Sequence, residues 1–217
     1  MSSVKEHIDN AQSDAASVCS DDVPNDNVRL HLKTNSLRNN VISCDSLGLH
    51  YQVSTDTSGF RAHRMIYISK WIPSTDKQIP LAEWKRQICG RGSIKLFREL
   101  APGGSSPPEF VPMKKFIYRQ HLSIFLKGSN IFNRTFTAKN GKTYTWKSRN
   151  FSLRLYCDES DKVIVKYHFA HCLINKRNGS LELISDWEDI IDEIIVSFIV
   201  VEKLRREEER TMIMIIS

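Results

Sequence analysis

The segment that decides the fold is IIDEIIVSFIVVEKL, residues 190–204. Its apolar side chains would cover almost every side of a helix, whereas a helix at a protein surface keeps one polar side. An element that is apolar all round is expected inside a core. The residues before it read as short strands, so the sequence predicts a mainly β fold, an antiparallel β-barrel or wrapped sheet that encloses one hydrophobic C-terminal α-helix.

A strand and a helix compete for this segment. Its isoleucines and valines are β-branched, which favours a buried strand. The length of the segment favours a helix, over residues 186–210. In such a helix Asp186, Glu188 and Asp189 would lie in the first turns and complement the positive end of the helix dipole. Glu202 also precedes two arginines at the spacing that brings opposite charges together on one helical face. We therefore predict a helix.

A transmembrane span is the third alternative for the segment. Such a span needs about 20 consecutive apolar residues. Asp192, Glu193 and Ser197 interrupt the apolar run. We therefore expect no transmembrane segment.

The 217 residues are enough for one domain with a sizeable core. Residues 1–27 are rich in Ser, Asp and Asn and are predicted to be a disordered acidic tail, because they cannot bury enough apolar surface to offset the entropy of ordering. The predicted domain covers residues 28–210, and residues 211–217 form a C-terminal tail.

From residue 28 onward, short β-branched and aromatic stretches alternate with turn-forming residues. The absence of helical patterns between them favours an antiparallel sheet over βαβ units. The predicted strands cover residues 28–32, 49–54, 61–69, 81–88, 94–100, 116–126, 134–138, 143–147, 152–157, 163–170 and 180–184. The proline-rich stretch 101–112 is predicted to be a loop.

RTFTAKNGKTYTWK, residues 134–147, is a predicted β-hairpin. Its Asn140-Gly141 pair is typical of the mirror-image turn in which both central residues have positive φ. Alternation places Tyr144 and Trp146 on one face, as expected of core residues. Arg134, Lys142 and Lys147 interleave with the aromatic residues, so the hairpin could also bind nucleic acid, with the aromatic rings stacked on bases. Burial of the aromatic side chains explains the pattern more simply and argues against a nucleic-acid partner.

The hairpin and the terminal helix together resemble an uncharacterised fungal family of domains of unknown function. The residues that mark this structural motif are Arg134, Phe136, Gly141, Tyr144, Trp146 and Phe198. Shorter matches are LHYQVST at residues 49–55 and AEWK at residues 82–85. The family is similar to the tubby C-terminal domain and the LURP-one-related proteins, and the resemblance implies a twelve-stranded barrel threaded by a hydrophobic helix. It implies no catalytic residues.

The positive charge of the chain lies in its body. Residues 1–27 carry one lysine and six acids, a net charge of −5, which leaves +11 on the rest of a chain whose total is +6. A basic body attracts anionic partners, here an anionic phospholipid or an acidic protein. The candidate anion- or lipid-binding residues are Lys114, Lys115, Arg119, Lys147 and Arg149.

Cysteine usage indicates the compartment. The five cysteines are scattered, odd in number and without a CxxC pair, which predicts free thiols in a reducing environment. The N-terminus shows no apolar signal-peptide core. We expect a cytoplasmic protein, with a location at the membrane periphery or in the nucleus as the alternatives.

Two short motifs carry residues capable of chemistry. CGRGS at residues 89–93 resembles a phosphate cradle, in which glycines admit backbone N–H groups and Arg91 adds charge, although a hairpin turn explains it more simply. HFAHC at residues 168–172 holds two histidines and a cysteine. A structural zinc needs four converging ligands, and His168 and His171 would point to opposite faces of a strand. We expect no metal and no cofactor.

No serine or cysteine lies in the sequence context of an activated nucleophile. The sequence therefore predicts a non-enzymatic binding or scaffold module that contacts phosphoinositide-containing membranes or acidic partners through a basic barrel surface. The alternative is a small-ligand carrier or an enzyme with a pocket at the barrel mouth.

Overall fold

The computed structural model describes residues 28–56, 63–87, 92–97, 108–119, 132–149, 152–169 and 178–216. The predicted acidic tail lies outside these ranges. So do the Arg91 of the CGRGS motif and the His171 and Cys172 of the HFAHC motif.

The described part of the chain forms one antiparallel sheet of twelve strands. The first seven are β1 (Val28–Leu32), β2 (Asn40–Cys44), β3 (Leu49–Thr55), β4 (His63–Ile72), β5 (Lys77–Gln87), β6 (Ser93–Leu96) and β7 (Val111–Pro112). The other five are β8 (Phe132–Thr137), β9 (Thr143–Arg149), β10 (Ser152–Cys157), β11 (Lys162–His168) and β12 (Ser180–Leu183). β1 to β7 follow one another in space, as do β8 to β12, and pairing of β1 with β12 joins the two halves.

Two helices accompany the sheet. α1 (Met113–Phe116) is a single turn, and α2 (Ile191–Ile216) contains 26 residues. α2 begins later than the predicted residue 186, because Asp186 has the left-handed φ of 47° and a 3₁₀ turn occupies Glu188–Ile190. It also continues past the predicted end at residue 210, into the segment that was predicted to be a tail.

The sheet wraps around the N-terminal half of α2. Every residue from Ile194 to Val201 is buried, and Phe198 is 0% exposed. Strands from both halves of the sheet contact the helix: the Tyr51 hydroxyl of β3 donates to Asp192 at 2.8 Å, and the ring of Trp146 on β9 lies 5.9 Å from that of Phe198. The helix is therefore enclosed, as its all-round apolar character predicts.

The prediction of a closed barrel is wrong, because in the described part of the chain the sheet stays open between its two end strands, β7 and β8. β7 contains only two residues, and its Pro112 has no N–H with which to extend a ladder. The chain then turns into α1. Only after α1 does a single bridge form, in which the backbones of Tyr118 and Thr135 of β8 exchange hydrogen bonds of 2.9 and 3.0 Å.

The predicted strands agree best where alternation is clear. β1 and β10 have the predicted bounds, whereas β2 and β7 were missed. The predicted strand 116–126 is wrong at its start, because Phe116 ends α1; residues 120–126 lie outside the described ranges. The predicted loop 101–112 ends in β7 instead of continuing to residue 112.

The predicted hairpin is present as β8 and β9, but its turn differs from the prediction. Gly141 has a φ of 80°, whereas Asn140 is not among the described residues with positive φ. The Gly141 N–H donates to the Ala138 carbonyl at 3.0 Å, and the Ala138 N–H donates to Lys142. This is a three-residue connection that ends in a left-handed glycine, a common alternative to the mirror-image turn.

The enclosure of α2 predicts a large effect of a charge at its centre. Phe198→Asp would bury a carboxylate beside Trp146 and Tyr167 without a cation to pair with it, so we expect the domain to unfold. Circular dichroism and urea denaturation measure this. Phe198→Leu is the control and should remain folded, at a cost of about 1–3 kcal/mol. A soluble, cooperatively folded Phe198→Asp variant would contradict the enclosure.

Candidate anion-binding surface

The structure places the five predicted basic residues in two regions. Lys114 and Lys115 are exposed on α1, and Arg119 is exposed just after the Tyr118 bridge. Lys147 and Arg149 lie on β9, where Arg149 is the last residue and its side chain is not described. The five therefore do not form one continuous row.

Lys147 belongs to a row of cations that crosses the outer face of the sheet. In the strand register, Lys147 lies opposite Arg154 of β10, and Arg154 lies opposite Lys166 of β11. The flanking residues of these strands, such as Trp146 and Leu155, point into the core, so the three cations point outward. We call Lys147, Arg154, Lys166 and Arg29 the outer basic row.

Arg29 ends the row, and it is separated from Lys166 by one acidic residue, Glu182. Glu182 of β12 lies opposite Lys166 and also opposite Arg29 of β1. Its carboxylate is 4.0 Å from the Arg29 guanidinium and 2.5 Å from Nε2 of His168. His168, a candidate zinc ligand in the sequence, therefore contacts this carboxylate.

Direct neighbours of like charge make the row costly to the fold. Adjacent strands lie about 4.8 Å apart, and like charges placed directly opposite destabilise a sheet. Among the described residues, neither Arg154 nor Lys166 has an acidic group within 4 Å; Arg154 donates from Nε to the Ser152 hydroxyl at 3.1 Å.

Lys147, at the end of the row, does have partners. It is 3.5 Å from Asp161 and lies over the Tyr156 ring at 4.4 Å. Both Arg154 and Lys166 are half-buried and reachable from solvent. An external anion would relieve the repulsion.

Sequence reasoning missed Arg154, Lys166 and Arg29. All three occupy polar positions in strands that were predicted, so their outward direction could be read from alternation. Their proximity could not, because it depends on which residues pair across β1, β12, β11 and β10.

The motif residues of the hairpin lie against α2. Trp146 donates from Nε1 to the Ser197 hydroxyl at 3.0 Å, and that hydroxyl donates to the Ile194 carbonyl at 3.1 Å. Phe136 stacks on Tyr144, its cross-strand neighbour, with ring centroids 5.7 Å apart. These contacts fix the hairpin against the helix.

Arg134 of β8 reaches the C-terminal half of α2. Its guanidinium pairs with Glu208, donates to the Asn133 carbonyl at 3.0 Å, and lies 4.2 Å from the Phe132 ring centroid. Burial lowers the pKa of Arg134, Glu208 opposes that shift, and the charge of Arg119 adds to it. Arg134 thus has protein partners for its charge and is a structural cation.

The paired carboxylates near the start of α2 also have protein partners. Asp192 accepts hydrogen bonds from the Tyr51 hydroxyl and from Lys70 at 3.0 Å, and Glu193 accepts from the Lys139 backbone at 3.2 Å. Burial raises the pKa of the Tyr51 phenol, and the negative charge of Asp192 raises it further. This arrangement connects the helix start to β3, β4 and the hairpin turn.

A cavity of about 390 Å³ lies at this same end of the structure. Four carboxylates and two lysines line it, together with the buried Cys157. The charged lining residues are Lys142, Glu159, Lys162, Asp186, Glu188 and Asp189. The lining charge is therefore net negative, opposite in sign to the outer basic row.

Among the cysteines of the described ranges, Cys44 and Cys157 are free and buried. The Cys44 thiol lies 3.1 Å from the Ser46 hydroxyl. Within the same ranges, no three His, Cys, Asp or Glu side chains come together as metal ligands.

A model of a family of unknown function, DUF6593, matches residues 35–207. The chain belongs to this family. The matched residues of this DUF6593 domain run from the connection after β1 into α2, so they include the wrapped sheet and the enclosed part of the helix. No curated protein and no solved structure matches the chain. None of the helices in the described part of the DUF6593 chain has the length and apolar character needed to cross a membrane.

Repulsion within the outer basic row predicts an effect on stability. Arg154→Gln removes the central charge, so we expect the free energy of unfolding to rise by about 0.2–1 kcal/mol at low salt. The gain should vanish near 1 M salt, where the Debye length is about 3 Å. Urea denaturation at the two salt concentrations measures it.

Lys77→Gln is the matched control for Arg154→Gln. Lys77 is exposed on β5 and lies opposite the uncharged Ile72. We expect no salt-dependent gain from this change. A lower urea midpoint for Arg154→Gln at low salt would show that the repulsion is already offset.

Proposed function

We propose that the protein is a non-enzymatic binding module whose outer basic row contacts phosphoinositide-containing membranes in the cytoplasm. The observation that carries this proposal is the direct alignment of Lys147, Arg154 and Lys166 on three neighbouring strands. The fold does not need these three charges together, and their mutual repulsion works against it.

A phosphoinositide headgroup suits the row chemically. Each lysine or arginine near an anionic membrane contributes about 1 kcal/mol of attraction. Headgroup phosphates present several acceptor oxygens, and an arginine can bind two of them at once. An acidic protein would use the same surface, and it is the second partner class to which the row points.

We further propose that this fold is a relative of the tubby-like and LURP-one-related barrels, in a fungal lineage. The twelve antiparallel strands and the enclosed C-terminal helix support this relationship. The opening between β7 and β8 would then be a local departure from a closed barrel.

Liposome co-sedimentation of the full chain tests the membrane proposal. We expect binding to phosphatidylcholine vesicles that contain phosphatidylinositol 4,5-bisphosphate and none to phosphatidylcholine alone. Replacing Arg154 with Gln and Lys166 with Met together should weaken binding about 30-fold, because two contributions of about 1 kcal/mol are lost.

Lys114→Gln with Lys115→Gln is the control, because it removes the same charge from α1. We expect a smaller loss from this pair. Equal losses would mean that net charge alone drives binding, and the absence of wild-type binding at low salt would exclude a membrane function.

The cavity at the start of α2 favours a second candidate function, the carriage of a small polar ligand. Its volume of about 390 Å³ lies within the range of ligand sites, which begins at about 300 Å³. The excess of carboxylates in its lining selects a small cation.

Calorimetry with spermidine tests the cavity. We expect Glu188→Gln with Asp189→Asn to weaken spermidine binding at least tenfold, because two lining carboxylates are removed. Asp45→Asn is the control, since Asp45 is exposed and does not line the cavity. Absence of heat with the wild-type chain would exclude a polyamine carrier.

A further inference from the structure

Lys203 places a positive charge inside the sheet wrap. The residue lies on α2 and is 9% exposed. Its ammonium lies 5.6 Å from the centroid of the Trp84 ring on β5. Within the described ranges no carboxylate lies within 4 Å of this ammonium. The face of the Trp84 ring gives this ammonium a cation–π contact but no hydrogen-bond acceptor. The cost of burying the charge is therefore only partly offset.

The neighbours of Lys203 are mostly cations. Arg64 of β4 and Arg86 of β5 lie directly opposite each other in the sheet register. Both share the inward face of their strands with buried residues, since Arg86 follows Trp84 by two positions. Arg38 is exposed in the connection between β1 and β2, where its carbonyl accepts from the Thr55 hydroxyl at 2.6 Å, and its positive charge also acts on Lys203.

Only part of this positive charge is balanced. Arg86 pairs with Glu207 of α2 at 2.5 Å. Among the described residues, Arg38, Arg64 and Lys203 have no acidic group within 4 Å. The pKa of Lys203 is lowered to about 8, chiefly by burial; the positive charge of Arg86 contributes to this shift, Glu207 opposes it, and Arg38 and Arg64 contribute to it. The cluster therefore carries an uncompensated positive charge.

A second polar group in the cluster also lacks a partner. Nε1 of Trp84 is buried and has no hydrogen-bond acceptor among the described residues. Gly92 lies directly beside it, and a Cβ at Gly92 would stand 3.0 Å from Nε1 and 3.1 Å from the Lys85 carbonyl. Buried polar groups are nearly always paired. An indole N–H and an ammonium without acceptors at one place indicate a missing acceptor.

We propose that Lys203, Trp84 and Arg64 form an inner site for a small phosphorylated anion. A phosphate group supplies several acceptor oxygens and more than one negative charge, which matches the indole donor and the unbalanced cations. This inner site faces the core side of β4 and β5, whereas the outer basic row faces solvent on β9 to β11. It is independent of the proposed membrane function.

Gly92 of the CGRGS motif packs directly against this cluster. A side chain at residue 92 would crowd the Trp84 N–H and the Lys85 carbonyl. Gly92 is the described member of the motif that touches the cluster, and residues 88–91 play no part in the proposal.

Calorimetry and thermal denaturation of the full chain test the site. The probes are inorganic phosphate and soluble inositol 1,4,5-trisphosphate, with sodium chloride at matched ionic strength. We expect both phosphates to raise the melting temperature above that in chloride, with tighter binding of the trisphosphate if a lipid headgroup is the natural source. If inorganic phosphate binds more tightly than the trisphosphate for each negative charge it carries, the natural ligand is free phosphate. No stabilisation beyond chloride would overturn the proposal.

Lys203→Met keeps the aliphatic stem and removes the charge. We expect it to weaken phosphate binding at least tenfold and to raise the melting temperature without ligand, because an unpaired buried charge is gone. Arg64→Gln, at a less buried position, should also weaken binding and covers the case in which Lys203→Met does not fold. Wild-type affinity in either folded variant would overturn the proposal.

Lys77→Met is the matched control, because Lys77 is exposed on β5 and belongs to neither the outer basic row nor the inner site. We expect it to leave phosphate binding unchanged. The Arg154→Gln and Lys166→Met double variant separates the two proposals: it should weaken vesicle binding and keep the Lys203-dependent part of phosphate binding, whereas Lys203→Met should keep vesicle binding. Loss of phosphate binding in Lys77→Met equal to that in Lys203→Met would mean that the anion binds by overall charge and would overturn the inner site.

Sulfate, which stays a dianion across the range used, gives the pH dependence. The charged groups that act on Lys203 are Arg38, Arg64, Arg86 and Glu207, and the pKa of Lys203 itself is lowered to about 8, chiefly by burial. We expect sulfate affinity to fall about tenfold per pH unit above pH 8, and to be flat in Lys203→Met. An equal fall in both proteins would exclude Lys203 as a ligand.

Discussion

Burial of the N-terminal half of α2 on all sides is the constraint on which the rest of the structure depends. A helix satisfies its own backbone hydrogen bonds, so it can lie in a core without backbone partners from other elements. A strand of the same sequence would need a partner on each side. The segment from Ile194 to Val201 therefore demands apolar side chains from every direction. A strongly curved sheet of twelve strands supplies them.

Polar groups on α2 then set where the helix lies within the sheet. Ser197 accepts from Trp146, and Asp192 accepts from Tyr51 on the opposite half of the sheet. Further along, Glu202 is fully buried, and both Arg205 and Arg206 donate to it within the helix. Apolar packing alone would tolerate sliding or rotation of the helix. The directional hydrogen bonds single out one position.

Local sequence patterns predicted the secondary-structure elements. The features that depend on which strands pair with each other could not be predicted from the sequence. The enclosed helix, the hairpin and the bounds of β1 and β10 follow from periodicity and turn residues. The open edge does not, because it depends on a two-residue strand ending at Pro112. Nor does the outer basic row: Lys147 was a candidate, but its neighbour Arg154 follows from register alone. Lys203 lies beside Trp84 only once the helix is enclosed.

The unfavourable charges are the most informative ones for function. Asp192, Glu202 and Arg134 are buried or partly buried, yet each has a partner of opposite charge, so the fold accounts for them. Arg154 and Lys203 differ, because Lys147 and Lys166 lie opposite Arg154 in the register and Arg86 acts on Lys203 more strongly than Glu207 does. Replacing either with an uncharged residue would cost the fold little. Retaining both is costly unless an anion is bound, and for this reason we propose anionic ligands at these two positions, on the outer and inner faces of the same sheet.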